Sequence, residues 1–72
     1  MSVQKHVLII EDASEIAEIF AEILQSQGWL AEIINDGANA LKAIRARRPE
    51  LILLDMHLPN VSGLEILNEI EE

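Results

Sequence analysis

Two short stretches of the chain are aliphatic without interruption: "HVLII" at residues 6–10 and "LILL" at Leu51–Leu54. Neither alternates apolar with polar positions, so each predicts a strand buried on both faces, as in a parallel sheet. "WLAEII", Trp29–Ile34, is a third strand, interrupted by Glu32, and the charge suits the edge of a sheet. Between the first two strands in chain order the period changes. Ile16, Ile19, Phe20, Ile23 and Leu24 follow the i, i+3, i+4, i+7, i+8 spacing of one helical face, with Glu15, Glu18 and Glu22 elsewhere on the surface. That face is expected to be the buried one.

The helix boundaries are also written in the residues. Asp12 with Glu15 three positions on predicts a capping box, and Gly28 can take the left-handed position that ends the helix. Trp29 then falls where a residue commonly packs back on the last turn, here on Leu24, so its predicted role is structural. A second helix is expected from about Gly37 or Ala38 to Arg47, burying Leu41 and Ile44 while Ala40 and Ala43 permit close approach. A third begins at Ser62, where "SGLE" pairs a serine cap with Glu65, and runs through Leu67 and Ile70. The order is βαβαβα, which implies a parallel sheet with right-handed crossovers in one α/β domain.

Length sharpens this picture. With 72 residues, half of them hydrophobic, the chain fits one small domain, and it contains neither an internal repeat nor a linker. A chain of this size buries only about 60% of its unfolded surface, and its core supplies roughly 3–5 kcal/mol. Cysteine is absent, so no disulfide or thiolate metal site supplements that core. The longest apolar runs are too short for a membrane span or a signal peptide, and the expected location is the cytoplasm. The last helix carries Glu69, Glu71 and Glu72 at its dipole-negative end with no glycine stop, which leads us to expect that the chain was cut from a longer one.

Thirteen acidic residues against five basic ones give a formal charge of −8, which argues against unaided binding to nucleic acid. Four of the basic residues lie in "KAIRARR", residues 42–48, just before Pro49. The pattern reads as a cationic helix end complementing the dipole.

Candidate chemistry sits at the strand ends. In an open parallel sheet, ligands bind beyond the carboxyl ends of the strands. Glu11 and Asp12 follow the first strand and Asp55 follows "LILL"; if those strands are neighbours, about 4.8 Å apart, the three carboxylates converge. Either a carboxyl takes up a proton or a hard divalent cation sits among them, and oxygen-only ligands favour Mg²⁺. Such a centre also admits a phosphoryl group, which makes Asp55 a candidate nucleophile. For Asp12, helix capping is the competing role. His57 beside carboxylates raises a zinc site as an alternative, but no second histidine lies near it in sequence, and a solvent-facing side chain is preferred. Gly28, Gly37 and Gly63 are isolated, so there is no glycine-rich phosphate loop, and no serine stands in an elbow motif.

These residues resemble the receiver domain of bacterial two-component response regulators. The resemblance rests on "VLIIED", on "DG" before a helix containing "AL", and on "PELILLDMHLPNVSG", in which Pro59 and Gly63 follow Asp55 at four and eight positions. It covers essentially the whole chain. What it implies is a flavodoxin-like, three-layer parallel fold with strand order 2-1-3, present as a (βα)3 half, so that residues 1–72 form the N-terminal half of a receiver domain. It further implies that Asp55 accepts a phosphoryl group from a sensor histidine kinase or phosphotransfer protein. Glu11 and Asp12 would support Mg²⁺, and His57 would contribute its backbone carbonyl to the metal. On this reading the chain is a phosphoacceptor rather than an enzyme.

Two family residues have no counterpart, a hydroxyl residue on the fourth strand and a lysine on the fifth. The chain has no threonine, and after Gly63 no serine, lysine or arginine, so impaired switching is expected. An uncovered "LILL" edge further predicts a homodimer or higher oligomer through the third strand. The alternative function is a truncated or engineered half-domain that folds by self-association and takes no phosphate.

Overall fold

A computed structural model of the chain describes residues 5–55 and 63–71. Its elements are β1 (Lys5–Ile10), α1 (Ser14–Ser26), β2 (Trp29–Ile34), α2 (Gly37–Arg47), β3 (Leu51–Leu54) and α3 (Gly63–Glu71). The three strands form a parallel sheet in the order β2-β1-β3. β1 is central because its residues Val7 to Ile10 are apolar on both faces, and all four are buried. Val7 pairs in register with Ala31 and Leu51, and Ile10 with Ile34 and Leu54.

Successive side chains alternate between two cores. On one face Val7 and Ile9 pack with Ala17 and Ala21 of α1, joined by half-buried Leu24, Trp29, Ile33, Leu51 and Leu53. On the other, Ile10 packs with Ala40 of α2 and Ile66 of α3, joined by Ile34, Leu41, Ile44, Ile52 and Leu54. Helices thus cover both faces, the three-layer arrangement expected from the βαβαβα order. The sequence expectation of α2 is met at both ends, and Leu41 and Ile44 are half-buried beside fully buried Ala40 and Ala43. Asp36, quoted in the sequence only as part of "DG", caps α2 by accepting from the Ala38 N–H at 2.8 Å.

Two expectations about α1 are corrected. Its N-cap position is Ala13, with no side-chain cap, so the Asp12–Glu15 capping box does not form. The helix begins one residue later than that motif requires, and the Ala13 N–H is taken by the Glu11 carboxylate at 3.2 Å. The buried stripe is Ala17 and Ala21 with Leu24 half-buried, whereas Ile16, Ile19, Phe20 and Ile23 are exposed. Small residues let α1 sit close to the sheet, which turns the larger side chains onto its flank and outer surface. Gly28 does end the helix at φ +91°, and Trp29 packs on the same core as Leu24. Lys5 Nζ lies 5.7 Å from the centroid of the Trp29 ring, a contact with no advance sign in the sequence.

The "KAIRARR" segment ends α2, as read. Arg48 takes the left-handed C-cap conformation, with its N–H on the Ile44 carbonyl at 2.8 Å. Arg45 pairs with Glu69 of α3 and Arg47 with Glu32 of β2. The Ser62 cap, Pro59 and His57 lie outside the described residues.

Candidate metal and phosphoacceptor site

The site is built by backbone pairing before any side chain acts. The Asp55 N–H donates to the Ile10 carbonyl at 2.9 Å, and the Glu11 N–H donates to the Ile34 carbonyl at 3.1 Å. Each bond carries the sheet one residue past a strand end, so Glu11 and Asp55 leave the sheet side by side. Asn35 adds a further tie, its side-chain amide donating to the Glu11 carbonyl at 3.0 Å.

Glu11, Asp12 and Asp55 converge as the sequence expected. Each offers a carboxylate oxygen, and these oxygens lie within 4.8 Å of one another, with Glu11 and Asp55 half-buried and Asp12 exposed. Burial pushes the Glu11 carboxyl above its ordinary value of 4.5, and the neighbouring Asp55 and Asp12 carboxyls push in the same direction, against the Ala13 N–H, which lowers it. The cluster therefore carries an electrostatic cost that a divalent cation would relieve. An all-oxygen set with an exposed member fits Mg²⁺, which keeps several waters and needs few protein carboxylates. The fourth predicted ligand, the His57 carbonyl, lies outside the described residues, as does the imidazole weighed for zinc.

A cleft of about 200 Å³ opens beside these carboxylates, lined by Glu11 and Asp55 together with Ile9, Phe20, Leu53 and Leu54. Phe20 is the contributor that sequence reasoning placed elsewhere, in the core. Its position three residues after Ala17 and one before Ala21 puts it on the flank of the observed buried stripe, a signal available once the alanines are taken as the buried face.

The family profile of the response regulator receiver domain matches residues 7–72. The DNA-binding response regulator MtrA of Mycobacterium tuberculosis (strain ATCC 25618 / H37Rv) is 34% identical over 65 residues, covering 90% of this chain and 28% of that protein. Among solved structures, the response regulator TrrA of Thermotoga maritima in complex with Mg(2+)-BeF superposes with a TM-score of 0.90 at 34% identity, covering 94% of this chain and 59% of that one. A CheY-like receiver domain from Methylobacillus flagellatus gives a TM-score of 0.89 at 32% identity, covering 96% and 58%. The chain thus spans little more than half the length of these solved receivers, and the flavodoxin-like fold with order 2-1-3 is shared with them.

Proposed function

Because the chain belongs to the response regulator receiver domain family, we propose that it is the phosphoacceptor part of a two-component phosphorelay, with Asp55 as the acceptor. The observation that carries this reading is the convergence of three carboxylates within 4.8 Å at the hydrogen-bonded ends of β1 and β3. Residues 1–72 are read as the N-terminal half of the domain.

In the proposed transfer, an Asp55 carboxylate oxygen attacks the phosphorus of a phosphohistidine on a sensor histidine kinase or phosphotransfer protein. An O–P bond forms and the N–P bond breaks. Its electron pair stays on the imidazole, which takes up a proton. Glu11 and Asp12, with Asp55, are the side chains that would hold Mg²⁺. When bound, the ion supplies positive charge that offsets the repulsion between carboxylate and phosphoryl oxygens. Asp55 is held at the cleft mouth by its N–H bond to the Ile10 carbonyl, which fixes its backbone. The chain is acceptor rather than enzyme in this scheme, and its charge of −8 weighs against direct contact with nucleic acid. Among the described residues no helix is long and apolar enough to cross a membrane, and the cytoplasm is the proposed location.

These 72 residues provide the acceptor and its acidic cradle. A second reading, a half-domain that self-associates on its β3 side and takes no phosphate, is favoured by the exposed Ile16, Ile19, Phe20 and Ile23.

One assay separates the two readings. With Mg²⁺ and a small acyl phosphate, intact mass should rise by one phosphoryl group in the wild type and not in Asp55→Asn. Equal mass for the two proteins would end the phosphoacceptor reading.

A further inference from the structure

The Glu11 carbonyl, one residue past β1, is held by a side chain where a sheet would use its main chain. In a parallel ladder, the N–H and the carbonyl of one residue bond to residues two apart on the neighbouring strand. Ile10 pairs with Ile34 and the Glu11 N–H donates to the Ile34 carbonyl at 3.1 Å, so a continued ladder would bring the residue-36 N–H to the Glu11 carbonyl. Asp36 instead opens α2. It is the N-cap residue, its carboxylate accepting from the Ala38 N–H at 2.8 Å and from the Asn39 side-chain amide at 3.3 Å. The donor found at the Glu11 carbonyl is the side-chain amide of Asn35, at 3.0 Å. A side-chain amide offers the same kind of N–H as a peptide, so Asn35 extends the ladder by one bond as the main chain turns into the helix.

That carbonyl belongs to the peptide between Glu11 and Asp12, the two acids that converge with Asp55. Its orientation sets the direction in which the Asp12 side chain leaves the backbone. Asp12 is exposed and does not cap α1, whose N-cap position is Ala13, so its placement depends on the main chain. The turn from Glu11 to Ala13 is fixed by the Glu11 N–H on the Ile34 carbonyl, the Ala13 N–H on the Glu11 carboxylate and the Asn35 amide on the Glu11 carbonyl. Of these three bonds, the last is the one whose side chain stands outside the acid cluster. It can be removed without touching a carboxylate.

We propose that Asn35 is a positioning residue for the cation of this site, holding the Glu11–Asp12 peptide so that the carboxylates suit a small octahedral ion. The inference rests on the metal-binding reading given above and adds a determinant of its selectivity. Mg²⁺ demands near-ideal octahedral geometry, whereas Ca²⁺ accepts six to eight oxygens in flexible arrangements. Loosening the peptide therefore penalises Mg²⁺ more than Ca²⁺.

The test titrates Mg²⁺ and Ca²⁺ by calorimetry into the 72-residue chain as wild type, Asn35→Ala and Asn35→Asp. The Asp variant keeps the shape of the side chain but has no N–H to donate, and its added charge attracts both ions. The ratio of the two dissociation constants therefore isolates the hydrogen bond from the charge. Both variants should lose at least about five-fold in preference for Mg²⁺ over Ca²⁺, and Asn35→Ala should bind Mg²⁺ about ten-fold more weakly than wild type. Without divalent ions, the unfolding midpoint of Asn35→Ala should move by no more than about 4 °C, because water can replace a bond at an exposed position. A ratio unchanged in both variants, including equal weakening of the two ions, would overturn the positioning role and leave the carboxylates as a cation site. A wild type that takes up no Mg²⁺ would overturn the metal-binding reading itself, and this inference with it.

Discussion

Asp55 is tied to Ile10 by its main chain, N–H to carbonyl at 2.9 Å, and Ile10 is completely buried in the central strand. The Asp55 carboxylate therefore projects from a backbone pinned to the buried central strand, and its side chain lines the cleft. Glu11 follows Ile10 directly. The two half-buried carboxylates are thus held together by the sheet, and their repulsion cannot be relieved by moving apart.

That constraint predicts a pH dependence. The folded-state Glu11 carboxyl is raised above 4.5, by burial first and by Asp55 and Asp12 next, so the folded chain binds protons more readily than the unfolded one just above that value. Stability without divalent ions should accordingly fall as pH rises from about 4.5 through the raised value. Glu11→Gln should remove this fall and be more stable than wild type at neutral pH. Added Mg²⁺ should raise the Tm of the wild type more than that of the variant. Thermal unfolding across pH, with and without Mg²⁺, checks both. A wild-type curve as flat as that of the variant would refute the constraint.

Asp12 and Asp36 make a matched pair for a second test. Both precede helices in capping-like positions, but only Asp36 accepts a helix N–H, from Ala38 at 2.8 Å. Asp36→Ala should cost about 1 kcal/mol, lowering Tm by roughly 4–8 °C for a domain of this size. Asp12→Ala should change stability by no more than about 0.5 kcal/mol, as expected for an exposed side chain without a cap bond. Equal losses would mean that Asp12 caps α1 after all.

The contrast between those two residues also shows what the sequence could and could not reveal. Strand identity was legible because "HVLII" and "LILL" have only one stable environment, a sheet covered on both faces. Once β1 and β3 are neighbours, the convergence of Glu11, Asp12 and Asp55 follows from chain direction, so this part of the site was legible too. The buried side of α1 was not. An apolar stripe of Ile16, Ile19, Phe20 and Ile23 and an alanine line of Ala17 and Ala21 are both helical patterns. Hydrophobicity favours the first, whereas close packing on the sheet selects the second. Asp36 was quoted only as the first residue of "DG" before a helix, and its capping role went unread because the helix start was left between Gly37 and Ala38.

Ile66 carries the attachment of α3. It is fully buried against Ile10 and Ala40, while Leu64, Leu67 and Ile70 on the same helix are exposed. Ile66→Val should cost about 1 kcal/mol, and Ile66→Ala about 2–5 kcal/mol. The larger loss matches the roughly 3–5 kcal/mol a core this small supplies, so Ile66→Ala should be largely unfolded at 25 °C by circular dichroism. Leu64→Ala, at an exposed position of the same helix, should remain folded. Comparable unfolding of the two variants would show that α3 is not anchored through Ile66.

At the opposite end of the sheet, Glu50 and His6 clasp each other. The His6 N–H donates to the Glu50 carboxylate at 2.6 Å, and the Glu50 N–H donates to the His6 carbonyl at 3.1 Å, joining the start of β1 to the residue before β3. The His6 N–H holds the Glu50 carboxyl below its ordinary value of 4.5, with smaller help from Glu50's own N–H and the charges of His6 and Lys5. A depressed acid contributes stability that is fully present above 4.5 and is lost as pH falls through the lowered value. Glu50→Gln keeps an acceptor for the His6 N–H but has no charge to titrate. Its urea midpoint should therefore lie below that of the wild type at neutral pH, and the two should approach each other as pH falls well under 4.5. A gap that stays constant across that range would show that the clasp acts through its neutral hydrogen bonds alone.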